Sequence, residues 1–240
     1  MRTSLLICIL CVSVFGCSKP VKTPDLPIPA VDSSSATDSS ATADSSAAAD
    51  PSAMSMSMPM PKDPASIVFK DNVESNVKLP QSVSELEFVD TNGRRIAMKD
   101  FQGDQNVVLV FTEGFNKMLC PFCKTQTSRL IANYDKFKQL DTEILVVYPG
   151  ATEHLDEFIE SAKTHDKEQV DDVPFPIVLD QDFKAVDFFE IRSKLAHPST
   201  YIINKSGKVI LAYVGADMTA DRPSVKAMLA KLQAAESGTP

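Results

Sequence analysis

Residues 106–123 read NVVLVFTEGFNKMLCPFC, a stretch that joins a buried apolar run to two cysteines. The run over 106–111 is almost continuously apolar, which is typical of a strand buried on both faces of a sheet. The Cys-Pro-Phe-Cys motif at 120–123 follows at the predicted start of the first helix. A thiolate at a helix N-terminus lies against unpaired amide donors and the positive end of the helix dipole, so the pattern predicts a low pKa for Cys120.

Cys120 and Cys123 are the only cysteines beyond residue 17. A disulfide within this motif would close too small a loop to restrain an unfolded chain, so a structural role explains the pair poorly. Because Cys123 lies one helical turn after Cys120, we predict that Cys120 attacks a substrate and Cys123 resolves the resulting mixed disulfide. The sequence therefore predicts a redox-active disulfide between them.

Hydrophobic periodicity predicts further elements on both sides of this stretch. Upstream, residues 86–98 form a predicted β-hairpin around the Asn-Gly turn at 92–93. Downstream, apolar residues at helical spacing over 130–140 and an apolar run over 143–148 complete a β-α-β unit. The remaining predicted elements are a helix over 152–165, a strand over 176–180, a helix over 183–190, strands over 200–204 and 209–214, and a last helix opened by Pro223. The predicted class is α/β, with a mixed central sheet flanked by helices.

The first 66 residues differ in composition from the rest. Residues 1–16 carry one basic residue and an apolar run too short to span a bilayer, which is typical of a signal peptide. Residues 14–17 resemble a bacterial lipobox, so we expect lipid on Cys17. Residues 17–66 are rich in Ser, Ala, Asp, Pro and Met, which predicts a disordered tether. A folded domain over 67–240 would then face the periplasm from a lipid anchor in the bacterial cell envelope.

The charge pattern excludes one class of partner. The chain has 240 residues and a formal net charge of -8, and its basic residues are scattered among acidic ones. Nucleic acid is therefore not an expected partner, because phosphate binding needs clustered Lys and Arg.

Arg129, on the predicted first helix, is expected to extend into solvent.

Four segments, over 107–111, 120–123, 175–180 and 197–209, together resemble the redoxin branch of the thioredoxin superfamily. That branch includes the alkyl hydroperoxide reductase and thiol-specific antioxidant (AhpC/TSA) proteins and the membrane-tethered periplasmic thiol-disulfide oxidoreductases. The resemblance implies a thioredoxin-like fold with an N-terminal β-hairpin and an inserted β-α element.

The resemblance also suggests roles for residues around the cysteines. It implies that Pro198 is a cis-proline that faces the pair and shapes the substrate groove. His197 would then lie near Cys120, where an imidazolium could stabilise a thiolate, or it is a solvated turn residue. Glu113, just after the buried strand, could accept a proton from Cys123 if it faces inward, and has no such role if it lies on the surface.

Two redox functions compete. The peroxide-reducing branch carries a proline seven residues and a hydroxyl residue three residues before its reactive cysteine, and an arginine in the downstream strand segment. Here those positions hold Glu113 and Lys117, and Pro198 stands about where the arginine would be. We therefore predict disulfide exchange with protein thiol or disulfide clients, recycled by an unidentified redox partner. Peroxiredoxin-like reduction of hydroperoxides is the alternative.

Metal binding is a weaker interpretation, and we expect neither a metal nor another cofactor. A structural zinc needs four ligands, and the only histidines that could supplement the cysteines are His154, His165 and His197, none of them at zinc-finger spacing. The alternating methionines over 54–60 supply soft thioether sulfur that suits Cu(I). Copper delivery by the tether is therefore kept as a third possibility.

Overall fold

Seven strands form one mixed sheet in the computed structural model, which describes residues 61, 63–164 and 170–238. The strands are β1 (Glu87–Asp90), β2 (Arg95–Ala97), β3 (Asn106–Phe111), β4 (Thr142–Pro149), β5 (Ile177–Asp180), β6 (Ser199–Ile203) and β7 (Val209–Val214). The helices are α1 (Pro121–Ala132), α2 (Tyr134–Lys138), α3 (Leu155–Thr164), α4 (Lys184–Phe188) and α5 (Val225–Glu236).

The strand order is β2-β1-β5-β4-β3-β6-β7. Strands β3, β4 and β5 pair in parallel through helical crossovers, whereas β6 and β7 add an antiparallel hairpin beside β3. The β1-β2 hairpin joins the other side of the sheet, because β1 pairs antiparallel with β5. The predicted mixed α/β sheet is confirmed.

Strand β3 lies at the centre of the hydrophobic core, and all six of its residues are buried. Successive side chains of a strand point to opposite faces. Accordingly Val108 and Val110 pack into one apolar cluster, which includes Leu130 of α1 and Met228 of α5. The other face of the strand contributes to a second cluster, which includes Val186 of α4. The continuous apolar pattern of the sequence follows from this two-sided burial.

Two helix predictions needed correction. The apolar spacing over 130–140 suggested one helix, but Asn133 interrupts it between α1 and α2 with φ -119° and ψ 11°. The Asn133 amide donates to the Arg129 carbonyl at 2.9 Å, a local side-chain bond that competes with helix geometry. The last helix begins at Val225, and not at Pro223, because the Ser224 side chain accepts the Ala227 N–H as its N-cap.

The predicted signal peptide, the lipidated Cys17 and most of the tether over 17–66 lie outside the described residues. At the end of the tether, Pro64–Ser66 form a 3-10 turn capped by Asp63. Among the described residues, every helix is too short or too polar to cross a membrane.

Candidate active site

The cysteine pair lies where the sequence predicts it, at the start of α1. Cys120 is the N-cap residue, with φ -63° and ψ 118°, and Pro121 is the first helical residue. Proline is well tolerated there because the first helical N–H has no partner within the helix. Cys123 is the third residue of α1, so both sulfur atoms lie on its first turn.

Both cysteines are free and buried. Their two sulfur atoms and a carboxylate oxygen of Glu113 all lie within 4.8 Å of one another. The Cys120 thiol donates to Glu113 Oε1 at 3.1 Å, and Cys123 Sγ accepts the Glu113 backbone N–H at 3.3 Å. Glu113 therefore contacts both sulfur atoms, one through its side chain and the other through its backbone.

Arg222, which sequence reasoning missed, completes the site. Its side chain is only 2% exposed and extends from the loop between β7 and α5. Nη2 donates to Glu113 Oε1 at 2.7 Å and lies 3.4 Å from Cys120 Sγ, whereas Nη1 lies 3.5 Å from Cys123 Sγ. A permanent positive charge thus touches the carboxylate and both sulfur atoms.

Neighbouring groups fix this guanidinium in place. Gln126 Oε1, on the second turn of α1, accepts from Nη1 at 3.4 Å, and the carbonyl of Thr219 accepts from Nε at 3.2 Å. Glu113 Oε1 also accepts the Met218 N–H at 2.9 Å. Buried charges are tolerated where they are paired and hydrogen-bonded, as they are here.

The structure assigns opposite pKa shifts to the two thiols. Burial raises the pKa of Cys120 strongly, and its hydrogen bond with Cys123 raises it further. Burial opposes ionisation of Cys123 as well, but its hydrogen bond with Cys120 and the charge of Arg222 lower the pKa of Cys123 overall. Burial disfavours the charge on Arg222, but the charges of Cys123, Cys120 and Glu113 raise the pKa of its guanidinium.

The prediction of a low pKa for Cys120 is therefore corrected. The helix N-terminus is present, but Cys120 is desolvated and donates its proton toward a carboxylate. The thiol whose pKa is lowered is Cys123, and its sulfur accepts hydrogen bonds from the Glu113 N–H and from Arg222.

A cavity of about 190 Å³ reaches Cys120. The Cys120 residue is 2% exposed, and it is the one cysteine that lines this cavity. Apolar wall residues include Met118, Leu195 and Met218, and Lys194 adds a positive charge. The cavity therefore admits a small molecule to Cys120, while Cys123 lies behind it.

Pro198 differs from the prediction. No peptide bond among the described residues is cis, so the bond between His197 and Pro198 is trans. Hydrogen bonds hold the chain on both sides, since the His197 N–H donates to the Ile191 carbonyl at 2.8 Å and the Pro198 carbonyl accepts the Gly215 N–H at 2.8 Å. These bonds hold the chain just before β6, without the predicted cis turn.

His197 lies beside the cavity and not against the sulfur atoms. Its Nδ1 pairs with Asp217 Oδ1 at 2.7 Å, and its side chain is 41% exposed. Asp217 lines the cavity. The geometry matches the solvated alternative of the sequence analysis.

Glu113 faces inward, as its candidate role requires, but its carboxylate contacts Cys120 and not Cys123. Gln126 and Arg222 were not predicted as site residues. Gln126 offered one weak signal, because it lies one turn after Cys123 on the same helix. Arg222 offered none, since a basic residue in a loop ordinarily extends into solvent.

Glu113, Cys120 and Cys123 could offer three ligand atoms to a metal ion. Arg222 contacts all three residues, so a guanidinium already supplies the positive charge at this position. His154 pairs with Glu157 at 3.2 Å and adds no ligand to the cluster. His165 and the methionines over 54–60 lie outside the described residues.

Comparison with known proteins identifies the family. The model of the AhpC/TSA family matches residues 77–212, which is more than half of the chain. The chain belongs to the AhpC/TSA family. Membership supports a redox enzyme that works through thiols, a description that covers both peroxide reduction and disulfide exchange. Among curated proteins, none matches this AhpC/TSA protein.

Solved peroxiredoxins share the fold. A cysteine-to-serine mutant of peroxiredoxin 6 from Arenicola marina is 18% identical with a TM-score of 0.57, covering 67% of this chain and 74% of that one. BcpB from Mycobacterium tuberculosis is 19% identical with a TM-score of 0.52, and the match covers 66% of this chain and 98% of that one. Peroxiredoxin Q from Xanthomonas campestris is 21% identical with a TM-score of 0.50, and the match covers 68% of this chain and 99% of that one. These likenesses establish the thioredoxin-like peroxiredoxin architecture of the AhpC/TSA domain.

Proposed function

We propose that this AhpC/TSA protein is a two-cysteine thiol oxidoreductase in which Cys120 and Cys123 alternate between dithiol and disulfide. The proposal is supported by the free sulfur atoms on one helical turn, both within 4.8 Å of a Glu113 oxygen and of each other. A rotation of the side chains suffices to bring such sulfur atoms to bonding distance.

The oxidant that the geometry favours is a small hydroperoxide. The observation that supports it best is the position of Cys120 on a small cavity. A thiol that is 2% exposed and reached through about 190 Å³ is accessible to a small molecule but not to a folded protein's disulfide. The guanidinium of Arg222 lies 3.4 Å from the same sulfur, where it would stabilise negative charge developing during attack.

The first step uses Glu113 as proton acceptor. Its Oε1 takes the proton of Cys120 across the 3.1 Å hydrogen bond, and the sulfur attacks the terminal oxygen of the hydroperoxide. The S–O bond forms as the O–O bond breaks, so Cys120 becomes a sulfenic acid and the alkoxide takes the proton from Glu113 to leave as alcohol. Arg222 stays charged throughout.

The second step uses the thiolate on Cys123. It attacks the sulfur of the Cys120 sulfenic acid, so the S–S bond forms and the S–O bond breaks. Hydroxide leaves and takes a proton from solvent as water. An external dithiol of the cell envelope then returns two electrons and two protons and restores the pair.

Disulfide exchange with protein clients is the second candidate, and the lack of a peroxide-orienting hydroxyl favours it. The positions that would carry proline and hydroxyl hold Glu113 and Lys117. The nearby Thr112 hydroxyl is engaged, because it donates to the Val147 carbonyl at 3.0 Å. A client disulfide would then be attacked by Cys120 once the cavity mouth opens.

A parallel assay separates the two functions. Hydroperoxide consumption and insulin reduction are measured with dithiothreitol as reductant for the wild type, Cys120→Ser and Cys123→Ser. We expect peroxide turnover by the wild type, none by Cys120→Ser, and a sulfenic acid trapped by dimedone in Cys123→Ser. Insulin reduction without peroxide consumption would identify disulfide exchange instead, whereas undiminished activity in both variants would rule out the cysteine pair.

We also propose that the domain works in the bacterial cell envelope, on a lipid attached to Cys17 and facing the periplasm. The support is the apolar leader, the lipobox-like residues 14–17 and the polar composition of 18–66. Labelling with radioactive palmitate in a bacterial host tests it. Label should enter the wild type and be lost in Cys17→Ser, and equal labelling of both would contradict the proposal.

A further inference from the structure

We propose that Lys70 is a positioning residue that keeps Arg222 against the sulfur atoms. Lys70 belongs to a segment over 67–76, here called the strap, which leads from the predicted tether into the domain. The inference rests on the proposed function, because it gives Arg222 the task of stabilising negative charge on the sulfur atoms of the cysteine pair.

Backbone hydrogen bonds join the strap to the loop that carries the arginine. The Lys70 N–H donates to the Arg222 carbonyl at 2.8 Å, and the Ser224 N–H donates to the Lys70 carbonyl at 2.8 Å. Lys70 and Pro223 form a parallel β-bridge. The backbone on both sides of Pro223 is thus fixed to one strap residue.

The Lys70 side chain reinforces this contact. Its ammonium lies 2.5 Å from Asp221 Oδ1 and donates to the Tyr213 hydroxyl at 2.7 Å. The Tyr213 hydroxyl donates to the same Asp221 oxygen at 2.6 Å, and Asp221 Oδ2 accepts the Ala216 N–H at 3.3 Å. Lys70 therefore neutralises the acid that organises the loop one residue before Arg222.

The strap is itself attached to α1, the helix that carries the cysteines. Arg129 donates to the Ile67 carbonyl at 2.8 Å and to the Pro64 carbonyl at 3.1 Å, and its guanidinium lies 5.0 Å from the centre of the Phe69 ring. Ile67 and Phe69 are buried. Arg129 thus binds the strap, contrary to the expectation that it extends into solvent.

Both the strap and Arg222 lie outside residues 77–212, the part of the chain that matches the family. The family match therefore includes neither the guanidinium at the sulfur atoms nor the segment that holds it. Since they contact each other through Lys70, they work as one unit. Loss of the ammonium leaves Asp221 with a hydroxyl and a backbone N–H as its partners. The strap then holds the arginine loop through the backbone of residue 70 alone, which allows Arg222 to shift from the sulfur atoms.

The test compares Lys70→Met with Lys231→Met. Lys231 pairs with Glu74 of the strap at 2.7 Å, so its loss removes a strap ion pair without touching the arginine loop. The readout is a pH titration of thiolate ultraviolet absorbance on the full chain. The groups that face the sulfur atoms are Glu113, Arg222 and, on the β4 side, Tyr148.

We expect Lys70→Met to raise the first apparent pKa of the cysteine pair by about half a unit or more, with an about threefold loss of thiolate at a fixed pH below that pKa. Lys231→Met should titrate like the wild type, and Lys70→Arg should restore the wild-type curve. An unchanged curve in Lys70→Met would overturn the proposal, as would an equal shift in both methionine variants. Because the titration needs no substrate, it is independent of whether hydroperoxide or disulfide is reduced.

Discussion

Removing the buried guanidinium should be one of the most damaging single changes in this domain. In Arg222→Met, the Glu113 carboxylate, whose side chain is 10% exposed, loses its 2.7 Å ion pair while staying buried. Cys123 loses a contact at 3.5 Å that supports its thiolate. Breaking a buried pair by removing one partner costs about 3–5 kcal/mol of the free energy of unfolding. Small domains have only about 5–15 kcal/mol in total, so the variant should fold marginally.

A double-mutant cycle isolates the part of this cost that belongs to the pair. Glu113→Gln keeps an amide oxygen for Arg222 but removes the charge, and Arg222→Met with Glu113→Gln removes both charges. Urea unfolding of the four proteins gives the coupling energy, which we expect to be about 2–3 kcal/mol because the groups are in contact. A coupling below about 0.5 kcal/mol, the value for exposed ion pairs, would refute the buried Glu113–Arg222 pair as the organising contact of the site.

Other predictions follow from single contacts. Below the ordinary thiol pKa, Cys120→Ser should keep a thiolate absorbance that Cys123→Ser lacks. The reason is that the pKa of Cys123 is lowered and that of Cys120 is raised. The reverse result would identify Cys120 as the thiol that ionises first. Tyr148→Phe should leave the free energy of unfolding unchanged or raise it by about 1 kcal/mol, because this buried hydroxyl has no hydrogen-bond partner among the described residues and burial raises its pKa to about 12. A clear loss of stability in thermal unfolding would contradict this. Gly114→Ala should lower the free energy of unfolding by about 1–3 kcal/mol, because φ of Gly114 is +68° and a Cβ there would lie 2.6 Å from the Pro149 carbonyl oxygen. Wild-type stability in urea would contradict this strain.

The sequence predicts the centre of the fold because local signals agree there. A strand buried on both faces needs apolar residues at every position, and β3 has them. The proline after Cys120 marks the first helical residue, so the start of α1 is readable. The hairpin at 92–93 is readable for the same kind of reason, since Asn-Gly suits its tight turn.

The electrostatics of the site depend on contacts between distant segments and are not readable in this way. Arg222 becomes a site residue only because its loop folds back over the start of α1, which no local pattern encodes. The low pKa expected for Cys120 was argued from the helix N-terminus alone, whereas burial and the proton acceptor Glu113 act in the opposite direction. The cis bond expected at Pro198 was likewise implied by resemblance, whereas the bond is trans and has tertiary hydrogen bonds on both sides.

The proposed function requires Cys120 and Cys123 to form a disulfide when a small oxidant enters the cavity. The direct measurement is mass spectrometry of the reduced protein after mixing with an equimolar hydroperoxide, rapid quenching with iodoacetamide and proteolysis. We expect the peptide that carries both cysteines to lose two hydrogen atoms and to take up no alkyl group. A peptide that stays doubly alkylated, together with peroxide loss no faster than with the Cys120→Ser protein, would contradict the proposed function.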